Sequence, residues 1–163
     1  MIALQIKSTR QIMNALLMTE AFDDFYMEEV TLTTYNTFQI DGHMNADFYS
    51  SDEIAALPEG KLEPYSKWRD IRPVCFSLIK GKKTPVSFKF VLHAPDKIVY
   101  ALCENPEAVK GLVLNIRYEQ GKVSIITATS YHTFIMDKSL DQIWDKYLPN
   151  LLTKLQIDFD ILT

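Results

Sequence analysis

The chain has 163 residues, 47% of them hydrophobic and 23% charged, and a net charge of −4. That length suits one domain over 1–163, or two small halves sharing a core, and the composition supports a packed interior rather than disorder. The acidic balance argues against a dedicated nucleic-acid binder, and no apolar run approaches the roughly 20 residues of a membrane-spanning helix.

The start, MIALQIKSTR, has no charged segment ahead of its short apolar stretch and does not read as a secretory signal. Residues 2–6 (IALQI) alternate apolar and polar and predict a strand. Ser8 and Gln11 have the S-x-x-Q spacing of a capping box. Ile12, Met13, Leu16 and Leu17 follow at helical spacing, which predicts a helix from Thr9 to Glu20. MEEVTLTTYNTFQI and HMNADFY flank Asp41-Gly42 and predict two or three strands around a hairpin. A turn over 41–43 pairs Ile40 with Met44 and Phe38 with Ala46, keeping apolar residues on one face. Asp41 and His43 then sit at a solvated tip with Asp47 on the outer face, so this trio reads as turn chemistry rather than a ligand set. SDEIAAL, from Ser51, predicts a short helix that Pro58 and Gly60 end.

In the next segment Trp68, Ile71, Cys75, Leu78 and Ile79 have helical spacing, with Pro73 either kinking the helix or starting its main part. A rival reading makes 74–79 a strand hairpinned onto 86–92 through KGKKTP. VSFKFVL (86–92) alternates as a strand, and Pro95-Asp96 opens a short helix carrying Ile98, Ala101 and Leu102. GLVLNIRY and KVSIITAT join through Gln120-Gly121, which pairs Tyr118 with Val123 and Ile116 with Ile125. SYHTFIM predicts a third strand. Ser139 and Gln142 form a second S-x-x-Q box before a long amphipathic helix reaching Leu155, kinked at Pro149. QIDFDILT closes the chain as an edge strand guarded by Asp158 and Asp160, or as a tail that joins a partner's sheet.

Both halves, 1–81 and 82–163, thus read strand–helix–three strands–helix, which suggests pseudo-duplication. The expected fold is α+β, with antiparallel sheet or sheets and helices on one side. The order resembles the repeated units of sliding-clamp domains, a likeness of topology alone.

Chemistry-bearing motifs are few. No phosphate-binding glycine loop, HExxH or GxSxG occurs. The histidines His43, His93 and His132 are widely spaced and read as surface or hydrogen-bonded structural residues. Cys75 and Cys103 have no CxxC or repeated Cys/His spacing, which predicts buried free thiols and a cytoplasmic setting. Asp23-Asp24, Glu28-Glu29 and Asp52-Glu53 read as solvated faces and a helix N-terminus. No catalytic residue, metal or cofactor is assigned, and oligomeric state is left open.

The exception to plain composition is 66–89, where Lys67, Arg69, Arg72, Lys80, Lys82, Lys83 and Lys89 meet a single acid, Asp70. Arg69, Arg72, Lys80, Lys82 and Lys83 are the candidate anion-binding residues, for nucleic acid, another polyanion or an acidic protein partner. The plainer readings are a solubilising loop, lysines at a helix C-terminus, or an acidic patch elsewhere that receives this face.

TTYNTFQIDGH, WRDIRPVCFSLIKGKKTPVSFK and LNIRY together resemble an uncharacterised single-domain family from clostridial-type Firmicutes. The likeness covers nearly the whole chain and implies a cytoplasmic bacterial protein, with no activity to carry over. The leading expectation is a non-catalytic binding or scaffold domain using the basic face. The alternatives are a small-molecule enzyme with a cleft between the halves, using His132 or Cys75, and an oligomeric structural protein.

Overall fold

The alternation of apolar and polar residues gives one antiparallel sheet. A computed structural model describes residues 1–79, 81 and 83–162. Among them are eight strands: β1 (Ala3–Ile6), β2 (Tyr26–Thr33), β3 (Thr37–Asp41), β4 (Ser66–Lys67), β5 (Ser87–His93), β6 (Val109–Glu119), β7 (Lys122–Tyr131) and β8 (Phe159–Ile161). The order across the sheet is β3-β2-β5-β6-β7-β1-β8, with β4 also paired to β2. The helices are α1 (Thr9–Leu17), α2 (Ser51–Ala55), α3 (Trp68–Ile79), α4 (Asp96–Leu102) and α5 (Ser139–Lys154). The α+β class with an antiparallel sheet is as the sequence predicts.

One face of the sheet carries the core. Val30 and Leu32, Phe88, Phe90 and Leu92, Leu112, Leu114 and Ile116, and Val123 and Ile125 are buried at every second position. α1 adds Ile12 and Leu16, α3 adds Trp68 and Cys75, and α5 adds Trp144, Leu148 and Leu152. Both tryptophans are fully buried, and each donates its indole N–H to a backbone carbonyl, Leu16 at 2.8 Å and Val113 at 3.1 Å. That removes the cost of burying a polar tip within an apolar body.

The Gln120-Gly121 hairpin has the expected register, Tyr118 with Val123 and Ile116 with Ile125, and both turn residues take positive φ. Residues 74–79 lie within α3, so the strand reading of that stretch falls. The Asp41-Gly42 hairpin also falls. β2 and β3 turn instead between Thr33 and Thr37, and pair Val30 with Ile40. HMNADFY is no strand: His43 makes a single bridge to Tyr65, and 46–48 is a short helical turn. β7 ends at Tyr131, so SYHTFIM adds no third strand. Ser8 does cap α1 (Gln11 N–H to Ser8 Oγ, 3.3 Å), whereas Ser139 lies inside α5 and the full capping box is Ser50 with Glu53. Pseudo-duplication finds no confirmation, since β1 sits between β7 and β8 and the halves interleave in one sheet.

Candidate functional site

The site begins with a defect in β2. Tyr26 pairs with His93 and Met27 with Leu92, but the register then slips so that Glu29 faces Val91. Glu28 is the extra residue of a β-bulge, a device that re-aims a side chain. Gly42 closes on it: its N–H donates to the Glu28 carbonyl at 2.8 Å, and a Cβ there would stand 1.7 Å from the Met27 carbonyl oxygen. The glycine that sequence reasoning gave to a turn is needed for this close backbone approach.

His93 lies on the face of the sheet away from the core, yet its side chain is only 6% exposed. Its Nε2 is 2.9 Å from Glu28 Oε1, and the Tyr65 hydroxyl donates to the same oxygen at 3.1 Å. The Tyr65 ring tilts against the imidazole at 4.9 Å between centroids, and the His43 ring meets Tyr65 edge-on at 4.8 Å. Asp41 holds His43 in turn, accepting from its backbone N–H at 3.0 Å and lying 2.5 Å from Nδ1. Burial pushes the His93 pKa below its ordinary value, against an opposing pull from the Glu28 hydrogen bond and charge. A neutral ring beside a carboxylate carries its proton on Nε2, which leaves Nδ1 as an acceptor. Among the described residues Nδ1, which is buried, has no hydrogen-bond partner, and it abuts Gly111, where an added Cβ would come within 2.2 Å of it.

His93 and Tyr65 line a cleft of about 270 Å³ with Tyr26, Glu63, Asp96 and Lys110. Lys110 is the extra residue of a second bulge, where β6 slips between Val109 and Gly111 against β7. The Tyr26 hydroxyl lies 2.9 Å from Glu63 and 3.1 Å from Asp96, and Lys67 Nζ stands 3.9 Å from the centre of its ring. His132 also reaches the wall, whereas Cys75 is buried in the core with its thiol pushed up to about 12 by burial.

The predicted anion-binding residues Arg69 and Arg72 lie elsewhere. Arg72 grips Asp23 through two bonds, at 2.8 and 2.9 Å, and Arg69 pairs with Asp24. Lys97 also reaches Asp24, at 3.2 Å, and Lys67 donates to the Asp24 carbonyl oxygen at 3.3 Å. Asp23-Asp24, read from sequence as a solvated face, is the acidic patch that receives α3. Lys83 is exposed, while Lys80 and Lys82 lie outside the described residues. Sequence reasoning placed Glu28 on a solvated face and His93 among surface or hydrogen-bonded structural histidines, and passed over Tyr65. A bulge leaves no spacing signal, and the one trace of it, Gly42, carried a simpler explanation.

Among the described residues no three His, Cys, Asp or Glu side chains are placed to hold a metal ion, and no helix is long and apolar enough to cross a membrane. The fold and cleft thus describe an α+β protein whose buried histidine is set by a strand bulge. The chain belongs to DUF5721, a family of unknown function whose model matches residues 15–160. That span contains every cleft residue named above. No curated protein and no solved structure matches the chain.

Proposed function

We propose that the protein binds a small molecule in this cleft and that His93 takes a hydrogen bond or a proton from it. One observation carries this reading: a buried imidazole of the cleft wall is oriented through Nε2 by Glu28, while its Nδ1, closed off against Gly111, has no partner among the described residues, so a ligand engages it by displacing the Gly111 segment. A carboxylate that fixes one ring nitrogen leaves the other as a directed acceptor, the division of roles that proton transfer requires. Tyr26 and Tyr65 from the first half meet His93 and His132 from the second, as a cleft between the halves requires, and Cys75 takes no part. A polyanion on the 66–89 face would have to draw Arg69 and Arg72 away from Asp24 and Asp23. The cleft needs no such rearrangement, which favours it.

The test is a ligand-observed NMR screen of small polar fragments against the wild type and His93→Gln, with circular dichroism confirming that the variant folds. Binders that disappear in His93→Gln are expected. A screen without binders, or binders indifferent to the substitution, would defeat the proposal.

A further inference from the structure

We infer that Lys110 and Gly111 form an acid-opened gate in the cleft wall, released from the His93 ring when a proton settles on Nδ1. The opening requires no ligand, so it stands or falls apart from the small-molecule reading. β5 and β6 pair as far as His93 with Val113, and beyond it the Ala94 N–H donates to the Leu112 carbonyl at 2.8 Å. Lys110 and Gly111 lie past that point, where β6 is paired with β7 through the bulge at Lys110. Toward β5, Gly111 rests on the imidazole itself, with no room for a Cβ between them. A strand end held on one side and leaning on a titratable ring on the other can move without unravelling the sheet.

The ring has two states with different needs. Neutral, it donates from Nε2 to Glu28 and turns the Nδ1 lone pair toward Gly111. Protonated, it is a donor at both nitrogens, and the Nδ1 N–H finds no acceptor among the described residues. A buried charged ring with an unmet donor is costly. Burial lowers the proton affinity of the closed ring, against the Glu28 hydrogen bond and charge, and Lys110 and His43 lower it further. Glu28, with Tyr65 donating to the same oxygen, keeps hold of Nε2 in either state, while a charged ring repels the Lys110 ammonium. Glu63, Asp96, Glu107 and His132 line the rest of the cleft. The Gly111 side is therefore the one that yields, and its retreat lets water accept from Nδ1. In the open state His93 is an ordinary histidine of pKa about 6.5. Opening is thus suppressed above that pH and grows by up to about tenfold per pH unit below it, until the closed-state pKa is passed.

The experiment follows hydrogen exchange of the isotope-labelled, ligand-free full chain by NMR from about pH 7.5 to about pH 5, expressed as protection factors so that the intrinsic pH dependence of exchange cancels. The Ala94 amide is expected to lose up to about tenfold in protection per pH unit below about 6.5, with the Gly111 resonance moving in step with the His93 ring, while Ile125 in the core stays better protected. His93→Gln is expected to flatten the Ala94 profile. Lys110→Gln, at an exposed position, removes the repulsion and raises the closed-state His93 pKa, so the Ala94 profile should level off at a higher pH and after a smaller total loss. A His93 that takes its proton with Ala94 and Gly111 unmoved would overturn the gate. So would Ala94 protection equal to that of Ile125 at every pH, which marks global unfolding, or an acid loss at Ala94 that persists in His93→Gln. An unaltered Ala94 profile in Lys110→Gln, despite a raised His93 pKa, would overturn it equally.

Discussion

Two charged regions of this molecule differ in a way that composition does not show. On α3, which sequence reading marks by its excess of cations, Arg72 and Arg69 meet Asp23 and Asp24, and those partners come from the chain itself. In the cleft, the groups are scattered along the sequence, yet a tyrosine serves two acids and, among the described residues, a buried imidazole nitrogen has no partner. The number of charges in a segment says little about function until their partners are known. Incomplete pairing is the more informative signal.

The sharpest way to break the comparison is Gly42→Ala. Backbone meets backbone at 1.7 Å there, so the bulge must open. A loss of more than about 3 kcal/mol in urea denaturation is expected, together with displaced Glu28 and Tyr65 resonances. A loss below about 1 kcal/mol would mean that the bulge does not depend on Gly42. Next in size is Asp23→Ala, which strands a partly buried guanidinium held by two bonds; about 1–2 kcal/mol is expected from thermal and urea unfolding.

The pH dependence comes third. His93 has a folded-state pKa below its unfolded value of about 6.5, so above that pH the ring is neutral in both states. As pH falls through about 6.5 the unfolded chain takes up a proton that the folded protein refuses, and stability drops until the folded pKa is reached. The slope from this group cannot exceed about 1.4 kcal/mol per pH unit, and His93→Gln should flatten that part of the stability curve. An unchanged slope in His93→Gln would place the titration elsewhere.

The smallest effect belongs to Arg69→Ala. Its pair with Asp24 is about half exposed, and less than about 0.5 kcal/mol should be lost. The same variant, combined with Arg72→Ala, serves fluorescence anisotropy with labelled single-stranded DNA across a salt series. Tight, salt-steep binding by the wild type that vanishes in the double variant would return the function to α3 and reverse the comparison.

The elements whose neighbours lie close in sequence were legible from it. The period-2 burial of β5 and β6 and the Gln120-Gly121 hairpin are local facts, and local pattern finds them. Thr33 to Thr37 was missed because Asp41-Gly42 is the stronger turn signal by residue type, yet Gly42 answers to the Met27 carbonyl, a neighbour across the sheet. The cleft was illegible for the same reason. Glu28, Tyr65 and His93 converge from three segments, and a register slip in one strand brings them together. Arg69 and Arg72 do lie on a helix, but Asp23 and Asp24, which answer them, precede another strand.

The placement of β1 bears on how the protein is made. Ala3 pairs with Ile126 and Leu4 with Ile161, so β1 has both of its partners far along the chain from it. The β5–β6–β7 meander joins neighbours along the chain and can pair as soon as it emerges. β7 then presents an open edge until β1 is recruited to it, and β8 has no edge to join before that. Completion of the sheet by β1 and β8 is therefore a late step in folding, and the exposed β7 edge is the point at which a chaperone or an unwanted partner would act.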